Sequence, residues 1–206
     1  MCYRTKLNSK LSSLEKSLDA RFIEPEKYKP QDEINAFSFA ETPVITDENP
    51  GEINIYHWGL IPFWAKDDNI KKRTLNSKIE TASEKPAFRN SVNNRCLVIA
   101  DGYYEWQWLD SKGKEKQKFL IQPVDQEIFS FAGIYSSWKN PQTNELVNSY
   151  SILTTEANEL MNEIHNNKKR MPVVLKNKDM AAWLAGDDLE KFAFPYEVEL
   201  KAKPVS

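Results

Sequence analysis

The chain has 206 residues, 40% of them hydrophobic and 12% aromatic, enough for one sizeable core, and no linker-like stretch divides it. A net charge of −2 excludes a globally basic nucleic-acid binder, so any such contact must come from a local patch. No apolar run approaches the roughly 18 residues of a membrane span, no basic segment leads an apolar stretch as in a secretory leader, and two cysteines cannot build a framework of bridges. The expected compartment is reducing and cytoplasmic.

Leu7, Leu11, Leu14 and Leu18 recur at helical spacing and predict a helix over 9–21, after which Pro25 and Pro30 break the chain. Ile53, Ile55 and His57 alternate with Asn54, Tyr56 and Trp58, a strand pattern that makes His57 a core residue. Further strands are predicted over 96–100, 102–109, 119–122, 128–135 and 150–154, with a hairpin turn at Ser111-Lys112-Gly113-Lys114. Cys96, inside an apolar run, reads as a buried strand residue. A helix over 156–164 puts Ala157, Leu160, Met161 and Ile164 on one face; a strand over 171–175 and a helix over 179–185, stopped by Gly186, follow. This order predicts an α+β fold, a single domain over 1–206, whose twisted, largely antiparallel sheet curls into an open barrel.

The chemistry starts at Cys2. Removal of Met1 would leave an α-amine and a thiol on adjacent carbons, the pair that condenses with an aldehyde to a five-membered thiazolidine. Near neutral pH an α-amine (about 8) and a thiol (about 8.5) are both partly reactive, whereas a lysine amine (about 10.4) is mostly protonated. In Asp101-Gly102-Tyr103-Tyr104-Glu105-Trp106 a strand places Tyr104, Trp106 and Trp108 on one face and Tyr103, Glu105 and Gln107 on the other. Glu105, off the aromatic face but beside it, is either partly desolvated, which raises a carboxyl pKa and suits acid–base work, or simply an exposed strand glutamate. His165 joins an apolar helix to the basic turn Asn166-Asn167-Lys168-Lys169-Arg170, where it serves either as a proton carrier or as a helix cap. Trp64, in the irregular stretch Trp58-Gly59-Leu60-Ile61-Pro62-Phe63-Trp64-Ala65, serves either as a stacking platform for bases or as core. Two cysteines and two well-separated histidines lack zinc-ligand spacing, so no metal and no cofactor is expected.

Taken in order, five motifs across the whole chain resemble the SRAP family, the SOS-response-associated peptidases or abasic-site processing proteins. They are Met1-Cys2-x-Arg4, Trp58-Gly59-Leu60-Ile61-Pro62-x-Trp64-Ala65, Asn76-x-Lys78-x-Glu80-Thr81, Asp101-Gly102-Tyr103-Tyr104-Glu105-Trp106, and His165 followed by Arg170-Met171-Pro172-Val173. The resemblance implies a compact α+β domain with a barrel-like sheet and a covalent crosslink to ring-opened abasic sites in single-stranded DNA. It implies Cys2 as nucleophile, Asn76 as a hydrogen-bonding neighbour of the crosslink, Glu105 as acid–base and His165 as the residue assisting sugar opening and crosslink reversal. It further implies Arg4, Lys78 and Arg170 at the DNA phosphates and Trp64 against the interrupted base stack. A monomer and self-removal of Met1 belong to the same expectation.

The chain departs from the family pattern at several points. Tyr3 follows Cys2 where glycine is commoner, Lys78 stands in place of arginine, and four residues separate His165 from Arg170 where one is usual. Residues 35–39 match the family's early strand motif only loosely. The ending Pro204-Val205-Ser206 looks like the start of a C-terminal motif, so a tail is expected to be missing. Two other functions use the same residues: a thiol peptidase acting on proteins through a Cys2–His165 dyad, which would turn over, and a non-catalytic single-strand binding module, which would survive loss of Cys2.

Overall fold

The computed structural model describes residues 2–205. The expectations about Met1 and Ser206 lie outside them. β1 (Arg4–Leu7) leads into α1 (Leu11–Leu18), followed by β2 (Arg21–Phe22), β3 (Gln31–Asn35), β4 (Glu41–Thr46) and β5 (Glu52–Trp58). An irregular segment over 59–75 precedes β6 (Asn76–Lys78), which runs into a 3-10 turn, Ile79–Thr81. β7 (Arg95–Ala100), β8 (Gly102–Trp108), β9 (Lys116–Pro123), β10 (Phe129–Lys139) and β11 (Leu146–Glu156) come next. α2 (Glu159–Ile164), β12 (Arg170–Pro172), α3 (Met180–Leu184) and β13 (Leu200–Val205) complete the chain.

The strands form two sheets. In the larger, β11-β10-β7-β4-β5 are neighbours in that order, and β5 pairs back onto β11 in parallel through His57–Ser149 and Trp58–Tyr150, closing a five-stranded barrel. β12, β6 and β2 extend this sheet. The smaller sheet is open, in the order β13-β9-β8-β1-β3. The expectation of an open barrel is thus corrected: one sheet closes, and a second lies against it. All six residues of β7 are buried, because this strand is covered on both faces, and a continuous apolar run is what such a strand requires. Cys96 is fully buried there as expected. A Cβ at Gly133 would lie 2.7 Å from Cys96 Sγ and from Val98 Cγ2, so any side chain there would force the buried β7 side chains to shift.

A single residue carries the chain from barrel to open sheet. Asp101, between β7 and β8, accepts hydrogen bonds from the Asn8 and Ser9 amides (2.7 and 2.8 Å), the Ser9 hydroxyl (2.8 Å) and the Lys6 ammonium (3.0 Å). This buried knot sets how β8 leaves the barrel, and it turns Tyr103 and Glu105 inward. Tyr103 meets Phe131 of β10 edge to face at 5.6 Å, joining the two sheets. The aromatic face of β8 is the outer one: Trp106 and Trp108 are half-buried beneath Lys118 and Lys116.

Other expectations change as well. His57 is not a core residue; its side chain is 41% exposed and lies 3.5 Å from Glu41 on the neighbouring strand. The first helix is shorter than expected, because Asp19 takes a left-handed conformation (φ 48°) and stops it. The strand expected over 171–175 shortens to Arg170–Pro172, with only a single bridge beyond it, Phe131 to Val174.

Candidate active site

Cys2 precedes β1 and is fully buried. Its carbonyl accepts a 2.8 Å hydrogen bond from Asn76 Nδ2, and its thiol approaches the Arg4 carbonyl at 3.9 Å. Asn76 stands where it does because β6 lies parallel to β11, with Asn76 opposite Ile152. That ladder is fixed at its start by Trp58, whose indole N–H donates to the Leu75 carbonyl at 2.9 Å. Asn76 Oδ1 is buried and has no hydrogen-bond partner among the described residues, so a buried acceptor is left over beside the Cys2 backbone.

Glu105, 5% exposed, lies on the inner face of β8, opposite Phe119 of β9. Burial raises its carboxyl pKa to about 7, because a desolvated carboxylate is costly. Burial, and then the charge of Glu105, push the Cys2 thiol well above its ordinary range, which places the two groups within electrostatic reach of each other. Tyr103 is raised by the same causes, burial first and then Cys2 and Glu105.

His165 caps the C-terminus of α2, a helix started by Asn158, whose side chain accepts from the Met161 amide at 3.0 Å. The helix lies along β8: Gln107 Nε2 donates to the Glu163 carbonyl (3.1 Å), and Trp108 and Asn166 exchange two hydrogen bonds (3.1 and 2.9 Å). These bonds bring His165 to the strand that carries Glu105. His165 is 7% exposed, and its Nδ1 lies 2.6 Å from the Arg170 carbonyl and 3.3 Å from the Arg170 amide nitrogen. The carbonyl contact is the shorter of the two and a carbonyl oxygen only accepts, so we assign the proton to Nδ1, over the longer alternative in which Nδ1 accepts from the Arg170 N–H, and the lone pair to Nε2. Burial lowers the imidazole pKa to about 4, leaving it neutral at physiological pH. The cap therefore does not work by charge on the helix dipole.

The basic positions divide. Lys78 is exposed and has no ion-pair partner among the described residues. Arg4 is paired with Glu33 at 3.0 Å. Arg170 is committed most: its guanidinium forks onto Glu80 (3.0 and 2.7 Å), and Nη2 also donates to the Thr154 carbonyl (2.7 Å). A phosphate contact from Arg170 would have to displace Glu80. The Thr155 hydroxyl donates to the same carboxylate at 3.0 Å. Burial alone would raise the Glu80 carboxyl, but the Arg170 hydrogen bonds hold it below the usual range. Glu80 stands in a sequence motif without an assigned task; its spacing from Arg170 carries no signal, because the pair joins the turn after β6 to β12.

Trp64 is 46% exposed and Phe63 beside it 63% exposed. Their loop is pinned from below by a small core of Ile61, Ala65 and Trp138, and the Trp138 indole donates to the Ala65 carbonyl at 2.7 Å. Gly59 (φ 123°) makes the turn into this loop, where any Cβ would lie 3.0 Å from the Lys71 carbonyl. Among the described residues, no group of three or more His, Cys, Asp or Glu could hold a metal, and no helix is long and apolar enough to cross a membrane.

The family model for SOS response associated peptidase (SRAP) matches residues 1–206. The chain is 35% identical to the abasic site processing protein YoqW of Bacillus subtilis, over 97% of this chain and 89% of that protein. It is 29% identical to the abasic site processing protein HMCES of Xenopus tropicalis, over 77% of this chain and 55% of that protein. A crystal structure of a Bacteroides thetaiotaomicron protein superposes with a TM-score of 0.90 at 31% identity, covering 100% of this chain and 92% of that one. With its barrel and second sheet shared by a solved relative and the family model spanning its full length, the chain belongs to the SRAP family.

Proposed function

We propose that this protein processes abasic sites in single-stranded DNA by capturing the ring-opened sugar as a thiazolidine on Cys2, once Met1 has been removed. The names of its relatives support the substrate class. The observation that carries the reading is the burial of Cys2 within reach of a carboxyl poised near neutrality, with its carbonyl pinned by Asn76.

Neutral His165, through Nε2, takes the hemiacetal hydroxyl proton as the ring C–O bond breaks and the aldehyde forms, and returns that proton to the departing ring oxygen, which becomes a hydroxyl. The Cys2 amine then adds to the aldehyde carbon, forming the C–N bond of a carbinolamine. Protonated Glu105 donates to the carbinolamine hydroxyl, water leaves, and an iminium remains. The thiol adds to the iminium carbon and its proton returns to Glu105, so the acid is regenerated. The net change is the joining of aldehyde, amine and thiol with loss of one water. A thiol held protonated by burial suits this order, since its proton is needed only at ring closure. The same protonation states disfavour a thiolate–imidazolium dyad, the arrangement a thiol peptidase would need. Removal of Met1 by the protein itself is the peptidase-like step in this account. Exposed Trp64 and Lys78 are assigned to the DNA strand, and Arg4 reaches it by exchanging its carboxylate partner, while Arg170 stays on Glu80 and is not assigned to a phosphate.

The test is a denaturing gel of protein with an abasic single-stranded oligonucleotide. Cys2→Ala is expected to lose the heat-stable band and keep non-covalent binding. A heat-stable, unreduced crosslink from Cys2→Ala would contradict the assignment.

A further inference from the structure

The ring of His165 is oriented through the backbone of Arg170, and Arg170 is itself held in place. Its amide and carbonyl begin β12, where it faces Glu156 of β11. The Lys168 and Lys169 amides both donate to the His165 carbonyl (3.2 and 2.8 Å), and Lys169 turns through the left-handed region (φ 51°), so the intervening turn is wound tightly on the histidine. The Arg170 side chain is only 12% exposed, and its Nε is buried without a hydrogen-bond partner among the described residues. A buried guanidinium with a donor already unmet depends on its remaining partners. Glu80 supplies two of these, both charge-assisted, and the Thr155 hydroxyl orients the carboxylate.

We propose that Glu80 is a positioning residue: by gripping the Arg170 guanidinium it fixes the Arg170 carbonyl, and with it the orientation and tautomer of the His165 ring. The inference rests on the reading above, in which His165 opens the sugar. It assigns the buried Arg170 side chain to the support of the histidine. Without Glu80 the guanidinium turns toward solvent, the start of β12 loosens, and the Nδ1–H loses its fixed acceptor. Nε2 then carries the proton for part of the time and cannot take one from the sugar.

Glu80→Gln keeps the size and the Thr155 contact but loses the charge and one acceptor. Imidazole nitrogen NMR on the free protein is expected to show a mixture of tautomers in place of Nδ1–H alone. Single-turnover crosslinking of a cyclising abasic strand is expected to slow about tenfold, the low end for partners that orient a functional histidine. A strand bearing an aldehyde that cannot cyclise should react within about twofold of the parent rate, since it skips the step His165 serves. Glu80→Asp, which keeps the charge but is too short to reach both nitrogens, should fall between parent and Glu80→Gln and takes its place if Glu80→Gln does not fold. In an Arg170→Gln background, Glu80→Gln should have no further effect. An unchanged tautomer, or equal slowing on both strands, would overturn the proposal. If no variant and no parent protein crosslinks, the covalent reading fails, and the tautomer measurement still decides the positioning role.

Discussion

The Glu105 strand and the His165 turn are almost equally hidden, at 5% and 7% exposure, yet burial moves their protons in opposite senses. On the rigid inner face of β8 it raises a carboxyl to about 7; at the end of a short helix it lowers an imidazole to about 4. Burial disfavours whichever form is charged, so one environment supplies a poised acid and the other a neutral base at the same pH. The supports differ too. Glu105 is set by the ladder to β9, on a strand that β1 also pairs at Gly102 and Tyr103, whereas His165 depends on a tight turn and a side-chain clamp. In the proposed mechanism, proton transfer during condensation thus rests on the sheet, and sugar opening on an element with fewer constraints.

The sharpest way to break this division is kinetic. Glu105→Gln should slow crosslinking of every aldehyde-bearing strand by roughly 10²–10⁴, the usual contribution of a positioned acid–base group, in single-turnover assays. His165→Ala should cost about 10² on a cyclising abasic strand and leave the non-cyclising aldehyde unaffected. Equal losses for His165→Ala on both substrates would assign the histidine to binding or folding.

A stability titration sharpens the same contrast. Glu105 has a folded pKa above its unfolded value, so its burial costs nothing at acid pH and weakens the fold as pH rises from about 4.5 to about 7. Removing it in Glu105→Gln should therefore gain stability relative to the parent across that window, on the order of 2–3 kcal/mol above pH 7. His165 has a folded pKa below its unfolded value, so its burial weakens the fold as pH falls from about 6.5 to about 4. His165→Gln should gain relative stability in that acid range by a similar amount. Urea unfolding at pH 4, 5.5 and 8 checks both signs; parallel pH profiles for the two variants would contradict them.

Strand binding supplies the smallest expected effect. Two cations near the Glu105 strand, Arg4 and Lys118, are both paired with Glu33, while Lys168 and Lys169 in the His165 turn are exposed. Lys168→Ala with Lys169→Ala should make the log–log salt slope shallower by about 1.4, at roughly 0.7 per single-strand phosphate contact. Arg4→Ala should change it by less, as measured by fluorescence anisotropy on an intact strand.

Legibility in the sequence followed the range of the contacts involved. β7, β8, β10 and β11 were readable because apolar runs and alternation are local signals. β3 and β13 were not, since Gln31-Asp32-Glu33 and Lys201-Ala202-Lys203-Pro204 form edge strands with little apolar surface to betray them. Barrel closure rests on a short parallel pairing between β5 and β11, almost a hundred residues apart in sequence, which no local pattern encodes. The motif at 101–106 located Glu105, and strand alternation separated it correctly from Trp106; that its own face is the buried one depends on how Asp101 turns the chain. The family motifs marked the candidate site residues, while the grip of Glu80 on Arg170 is a tertiary fact, invisible until β6, β11 and β12 are side by side.

The central claim is covalent capture by the aminothiol of Cys2, and intact-mass measurement of the product tests it most directly. After reaction with an abasic strand and treatment with a thiol alkylator under denaturing conditions, the crosslinked species should weigh the protein without Met1 plus the strand minus one water. Its mass should show alkylation at Cys96 alone. A crosslinked species that retains Met1, or one in which both cysteines are alkylated, would place the bond elsewhere and contradict the account.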